Sequence, residues 1–153
     1  MDAISNELFD LPTGAHFLRI SVRLVVATLL GGFIGFERQR KGKAAGLRTH
    51  MLVGLGTALF TIAPLEAGMS IADLSRVIQG ITAGIGFIGA GTILKLAEQK
   101  EIQGLTTAAS IWLTAALGIA AGAGHLWLPI LVALFALIIL LVLGYVENTP
   151  RSD

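Results

Sequence analysis

Five stretches of this chain run for close to twenty residues with few charges, and that pattern leaves few folds open. Crossing ~30 Å of hydrocarbon at ~1.5 Å per residue takes ~20 apolar residues in a helix. The stretches lie near residues 17–36, 49–65, 76–96, 105–123 and 126–146. Such long runs are not strands, and a barrel would need alternating polar and apolar residues. The expectation is an all-α, polytopic membrane bundle of about five transmembrane helices. Residues 1–16 form an external tail, 17–146 the membrane domain and 147–153 a cytoplasmic tail.

Composition points the same way. Only 14% of the 153 residues are charged, against about 25% in ordinary soluble domains. The formal net charge of +1 gives no reason to expect nucleic acid as a partner. With no cysteine, disulfides and thiolate chemistry are excluded, and His16, His50 and His125 show no metal-ligand spacing. Residues 1–16 contain Asp2, Glu7 and Asp10 but no lysine or arginine. They lack the basic start of a secretory signal, so the first apolar run reads as an uncleaved span.

A pattern occurs twice. Phe33-Ile34-Gly35 closes one apolar run, a charged loop from Glu37 to Lys43 follows, and Gly46-Leu47-Arg48-Thr49 opens the next run. Phe87-Ile88-Gly89, the stretch from Lys95 to Glu101, and Gly104-Leu105-Thr106-Thr107 repeat the arrangement. Cations gather in these two loops: Arg38, Arg40, Lys41, Lys43 and Arg48 in the first, Lys95 and Lys100 in the second, with Arg151 in the tail. By the positive-inside rule both loops and the C-terminus are cytoplasmic and the N-terminus is outside. The first and third helices then run in one direction, which makes a parallel two-helix internal repeat. Functional elements of such proteins tend to lie where repeats meet.

Glycines at one-turn spacing mark helix-packing faces. They are Gly31 and Gly35, Gly80 and Gly84, Gly118 and Gly122, with the densest run adding Gly86, Gly89 and Gly91. Arg23 shares the face of Gly31 and Gly35 at successive i+4 steps. It reads either as a snorkelling cation or as a buried partner of Glu66 or Asp73, with Arg76 nearby. At the basic end Glu37, Arg38, Arg48, Thr49 and His50 converge, and Thr106 and Thr107 take the equivalent place. Thr49 and Thr107 read first as helix N-caps. The second repeat has no counterpart of Glu37 or Arg48, which suggests a role for the first loop beyond topology.

Gly35-Phe36-Glu37-Arg38-Gln39, Ala45 to His50, Asp73-x-x-Arg76, Gly84 to Ile93 and Gly104 to Ala109 followed by Trp112 resemble, in order, the motifs of the MgtC/SapB family of bacterial membrane proteins. The resemblance covers residues 31–124. It implies an integral protein of the bacterial inner membrane linked to growth at low magnesium. It further implies a regulatory role through contact with other membrane proteins, ATP synthase among them. The chain resembles a short form without the family's cytoplasmic C-terminal domain. The rival reading is direct cation transport, with Mg²⁺ favoured by resemblance, alone or as an oligomeric channel. A homo-oligomer in the lipid bilayer fits either reading. No nucleophile–base pair, metal cluster or phosphate loop is present, so no enzyme activity, cofactor or assigned metal is expected.

Overall fold

A computed structural model describes residues 13–96 and 101–144. The expected tails up to residue 12 and over 147–153, the last two residues of the fifth run, Lys100 and Arg151 lie outside the described residues. The order is α1 (Gly14–Arg40), α2 (Leu47–Glu66), α3 (Leu74–Ala90), β1 (Leu94–Leu96), β2 (Glu101–Gln103), α4 (Leu105–Gly122) and α5 (Trp127–Ile138). A single π-type turn, Ile139–Leu143, extends α5. The architecture is an all-α bundle with one two-stranded hairpin. Helices α1 and α4 are long and apolar enough to cross a membrane by length and composition, and α3 and α5 are shorter apolar helices.

The interior mixes small residues with a few leucines and isoleucines, among them Leu30, Ile34 and Leu117, and the surface carries many large apolar ones. Ala27, Ala58 and Ala121 form one buried cluster, and Ala45, Ile85, Ile111 and Ala115 another. Phe33, Leu52, Phe60, Phe87, Trp127 and Leu134 are all exposed. Water would penalise so much contiguous apolar surface. Lipid does not, and in lipid close backbone approach is what joins helices.

Contacts fix the helix directions. Near the basic end, His50 of α2 meets Ser110 of α4, and towards the other end Gly122 packs on Ala58. Helices α2 and α4 are therefore parallel. Gly31 lies on His50 and Ala27 on Gly54, so α1 runs antiparallel to α2. Gly89 meets Ala108, while Ile78 and Thr82 lie along the wall that also holds Ile119 and Ala120, so α3 runs antiparallel to α4. Helices α1 and α3 thus share a direction, as a parallel repeat requires. The copies also correspond in contact: Gly35 presses on His50, and Gly89 on Ala108.

Three boundaries differ from the sequence reading. Helix α1 begins at Gly14, which takes His16 out of the expected tail, and it continues through Glu37, Arg38 and Gln39 to Arg40. The first charged segment is therefore largely helical. Arg38 and Arg40 in the last turn suit the negative end of the helix dipole, and Gly42 at φ 64° ends the run. Helix α3 stops at Ala90, not Leu96. Thr92 closes it by donating from N and Oγ1 to the Gly89 carbonyl at 3.0 and 2.7 Å. The apolar residues beyond it are extended instead: Leu94 pairs with Gln103 and Leu96 with Glu101. Finally, Gly46 and Gly104 occupy the N-cap positions, so Thr49 and Thr107 lie inside their helices.

Candidate functional site

Glu37 and Arg38 are adjacent on α1 and both are buried, at 6% and 4% exposure. Arg38 Nε donates to Glu37 Oε2. Glu37 Oε1 is, among the described residues, the one buried side-chain oxygen or nitrogen without a hydrogen-bond partner. A lone buried carboxylate would be costly, and the guanidinium beside it is what makes the charge tenable. Glu37 borders a cavity of about 550 Å³ with Phe33, Phe36, Arg40, Lys41, Leu137 and Leu141. The Arg40 guanidinium carbon stands 5.7 Å from the centre of the Phe36 ring, a cation–π distance. On the other flank, a cavity of about 340 Å³ is lined by Arg38, Lys41, Lys43 and Thr106 against Ile139, Leu140, Leu143 and Gly144.

His50, one turn into α2, is fully buried and joins the repeats. Its Nδ1 lies 2.9 Å from the Gly46 carbonyl oxygen and its Nε2 3.1 Å from Ser110 Oγ. A carbonyl only accepts, so Nδ1 carries a proton, and in the neutral ring Nε2 accepts from the Ser110 hydroxyl. The Ser110 hydroxyl has a single proton, and the Thr107 carbonyl at 2.8 Å competes for it. Farther along, Thr57, Thr61 and Thr114 are buried, and each hydroxyl donates to the carbonyl four residues earlier at 2.8 Å. These hydroxyls are satisfied within their own helices.

The expected cytoplasmic cluster therefore divides. Arg38 and Thr106 share a cavity, Glu37 borders its neighbour, and His50 joins the Ser110–Thr107 turn. Thr107 is buried, Thr49 is half-buried, and Arg48 is exposed outside both cavities.

At the other end Arg23 meets neither expected acid. Its Nη1 donates to the Gly122 carbonyl at 3.3 Å, and its guanidinium fills the space where a side chain on Gly124 would sit. The last carbonyls of a helix lack internal partners and carry the negative end of its dipole, so a cation there replaces a cap. Glu66 pairs instead with His16. Asp73 accepts from Ser70 Oγ at 2.6 Å, and Arg76 is exposed.

The packing glycines also divide. A Cβ on Gly35 would lie 2.8 Å from Leu47 Cα, and one on Gly31 2.9 Å from the His50 carbonyl carbon. Gly80, Gly84 and Gly86 have nothing within 4 Å. They face outward and pack on no helix among the described residues, because α3 buries the opposite face through Leu74, Ile85 and Gly89. Gly89 makes ordinary contact with Ala108, and Gly91 meets only carbonyls of its own helix end. Gly104, named from sequence only as part of the repeat, turns at φ 93° against Thr92. Sequence reading missed Gly54, whose Cβ would lie 2.5 Å from the Ala27 carbonyl. It also missed Ser110, although Ser110 and Thr114 stand at the i+4 spacing of a polar stripe.

The family model of the MgtC family matches residues 24–149. The chain belongs to the MgtC family. It is 45% identical over 146 residues to protein SrpB of Synechococcus elongatus, covering 88% of this chain and 79% of the relative. Identity is 44% to YhiD of Escherichia coli K12, whose name proposes a magnesium transporter, over 78% of this chain and 58% of that protein. Protein MgtC of Brucella abortus is 49% identical over 66% of this chain and 41% of its own length. This MgtC-family protein thus spans less than two thirds of the latter two relatives. No solved structure matches it. Family membership and the lipid-suited surface together make it a membrane protein.

Proposed function

We propose that this protein modulates magnesium or other ion homeostasis, or membrane energetics, through contacts with other membrane proteins and not by carrying an ion through its own centre. One observation carries the reading: α1, α2 and α4 meet backbone on backbone. Gly54 lies on the Ala27 carbonyl, Gly118 on the Gly54 carbonyl and Gly122 on the Ala58 carbonyl, where a Cβ would come within 2.5, 2.5 and 2.8 Å. Mg²⁺ keeps several waters and binds one or two carboxylates, and such a seam has no room for a hydrated ion. Among the described residues no three acids, histidines or cysteines gather to hold a metal.

The name given to YhiD, and the low-magnesium growth role implied by the family resemblance, support magnesium as the physiological context. Cation placement supports a bacterial inner-membrane protein with its N-terminus outside and both repeat loops cytoplasmic. Resemblance favours ATP synthase as a partner, and no enzymatic step is proposed. The test is transport by the purified full chain in liposomes loaded with a Mg²⁺-sensitive dye. Flux equal to empty liposomes, alongside co-purification of a membrane complex, is the expected outcome. Flux above that background would install the transporter reading in its place.

A further inference from the structure

The 340 Å³ cavity at the basic end combines a cationic wall with an apolar one. One wall is cationic, with Arg38 from the last turn of α1, Lys41 and Lys43 just beyond it, and Thr106 from the first turn of α4. The other wall is apolar, formed by Ile139, Leu140 and Leu143 of the π-type turn. Arg38 is 4% exposed, and among the described residues its one hydrogen bond runs from Nε to Glu37. Its two Nη groups therefore remain for the cavity that it lines. A guanidinium held in this way is pre-organised for two parallel hydrogen bonds to phosphate oxygens. Lys41 and Lys43 are exposed and add charge at the mouth.

The apolar wall selects the source of the phosphate. Ile139 and Leu143 are 55% and 53% exposed, and they continue into the outward apolar face of Leu134, Phe135 and Ile138. A soluble phosphate compound gains nothing from such a wall, whereas acyl chains lie along it. Basic pockets between membrane helices at this level suit acidic head groups. We propose that this cavity binds the phosphodiester of an anionic phospholipid, with its acyl chains along the outer face of α5. The proposal holds whether or not the protein carries an ion.

The experiment titrates the purified full chain, in uncharged detergent, with short-chain phosphatidylglycerol, phosphatidylcholine or inorganic phosphate, and reads binding by thermophoresis. Saturable binding of phosphatidylglycerol, and little of phosphatidylcholine, is expected. Replacing both lysines, Lys41→Gln with Lys43→Gln, should weaken it about thirty-fold, at ~1 kcal/mol for each cation. These side chains are exposed, so the fold should survive, and an unchanged elution volume checks it. Arg40→Gln removes a charge from the same segment outside this cavity, and should shift binding less than about threefold. Equal binding of the two lipids overturns the proposal. So does an effect of Arg40→Gln as large as that of the lysine pair, because a diffuse basic surface would then suffice. Inorganic phosphate that binds alone and displaces phosphatidylglycerol would make a soluble phosphate the ligand and overturn the lipid assignment.

Discussion

His50 and Ser110 are 60 residues apart in the chain, and their Nε2 and Oγ atoms are 3.1 Å apart between the two repeats. The pair is asymmetric in what each partner has to fall back on. Ser110 can turn to the Thr107 carbonyl, while His50 Nε2 has no other partner among the described residues. Ser110→Ala therefore strands a buried nitrogen and should cost about 1–3 kcal/mol. His50→Ala leaves no stranded group, but its cavity should cost about 2–4 kcal/mol. The double variant should lose less than the sum, because the stranded nitrogen goes with the ring. Thermal unfolding in detergent measures all three. Strict additivity would mean that the two groups are not coupled.

Glycine substitutions should separate by face. Gly31→Ala and Gly54→Ala push a methyl into a neighbouring backbone and should destabilise by at least ~2 kcal/mol. Gly80→Ala and Gly84→Ala meet open space and should be neutral or gain up to ~1 kcal/mol of helix propensity. Thermal unfolding of the dispersed single chain would decide. A loss at Gly84 as large as at Gly31 would place an intramolecular neighbour against α3.

Arg23 caps the end of α4, so the ion-pair expectation gives way to a charge–carbonyl contact. Arg23→Ala should cost about 1.5–3 kcal/mol, within the range for a hydrogen bond to a charged group. Arg23→Lys should recover only part of it, since lysine lacks the planar fork. Wild-type melting of Arg23→Leu would show instead that the side chain merely reaches for head groups.

Glu37 and Arg48 looked equivalent as candidates and now part ways. Removing one member of a buried ion pair leaves the other charge uncompensated, so Glu37→Gln should cost about 3–5 kcal/mol and lower membrane levels. Arg48 is exposed. Arg48→Thr, which installs the residue of the second repeat, should insert normally and yet fail to support growth at low magnesium. Immunoblots of membranes beside a complementation assay measure both effects. Full complementation by Arg48→Thr would leave that residue as a topology signal only.

Orientation has its own test. A reporter active only in the cytoplasm should work when fused after Asp153 and fail when inserted near Ser70. The reverse pattern would turn the basic end outward and take the lipid cavity to the other leaflet.

The helical class was legible because apolar runs of this length admit no other economical solution in lipid. The repeat was legible in Phe-Ile-Gly and Gly-Leu-x-Thr, and its parallel sense in where the cations fell. Glycine spacing found Gly31 and Gly35 but also chose Gly80 and Gly84. Spacing reports that a face is small, not that another helix lies against it. Arg23 reads from sequence as a snorkelling cation or as a partner of Glu66 or Asp73, but its partner is a carbonyl, and carbonyls carry no residue identity for a sequence to display. Helix α1 was ended too early for a related reason. Glu37 and Arg38 look like loop residues one at a time, and become helix residues once each neutralises the other in a buried place.

Where glycine lies against backbone, no side chain stands between the helices to change rotamer. Packed cores usually yield by letting side chains hop between staggered wells, and the glycine contacts of α1, α2 and α4 offer almost none of that give. Those three helices form one closely joined wedge. Helix α3 touches α4 through ordinary contacts such as Gly89 on Ala108. Helix α5 packs on the same wedge through side chains, Ala133 and Ala136 against Leu30, Ile34 and Leu117, so the give in this bundle lies at α3 and α5.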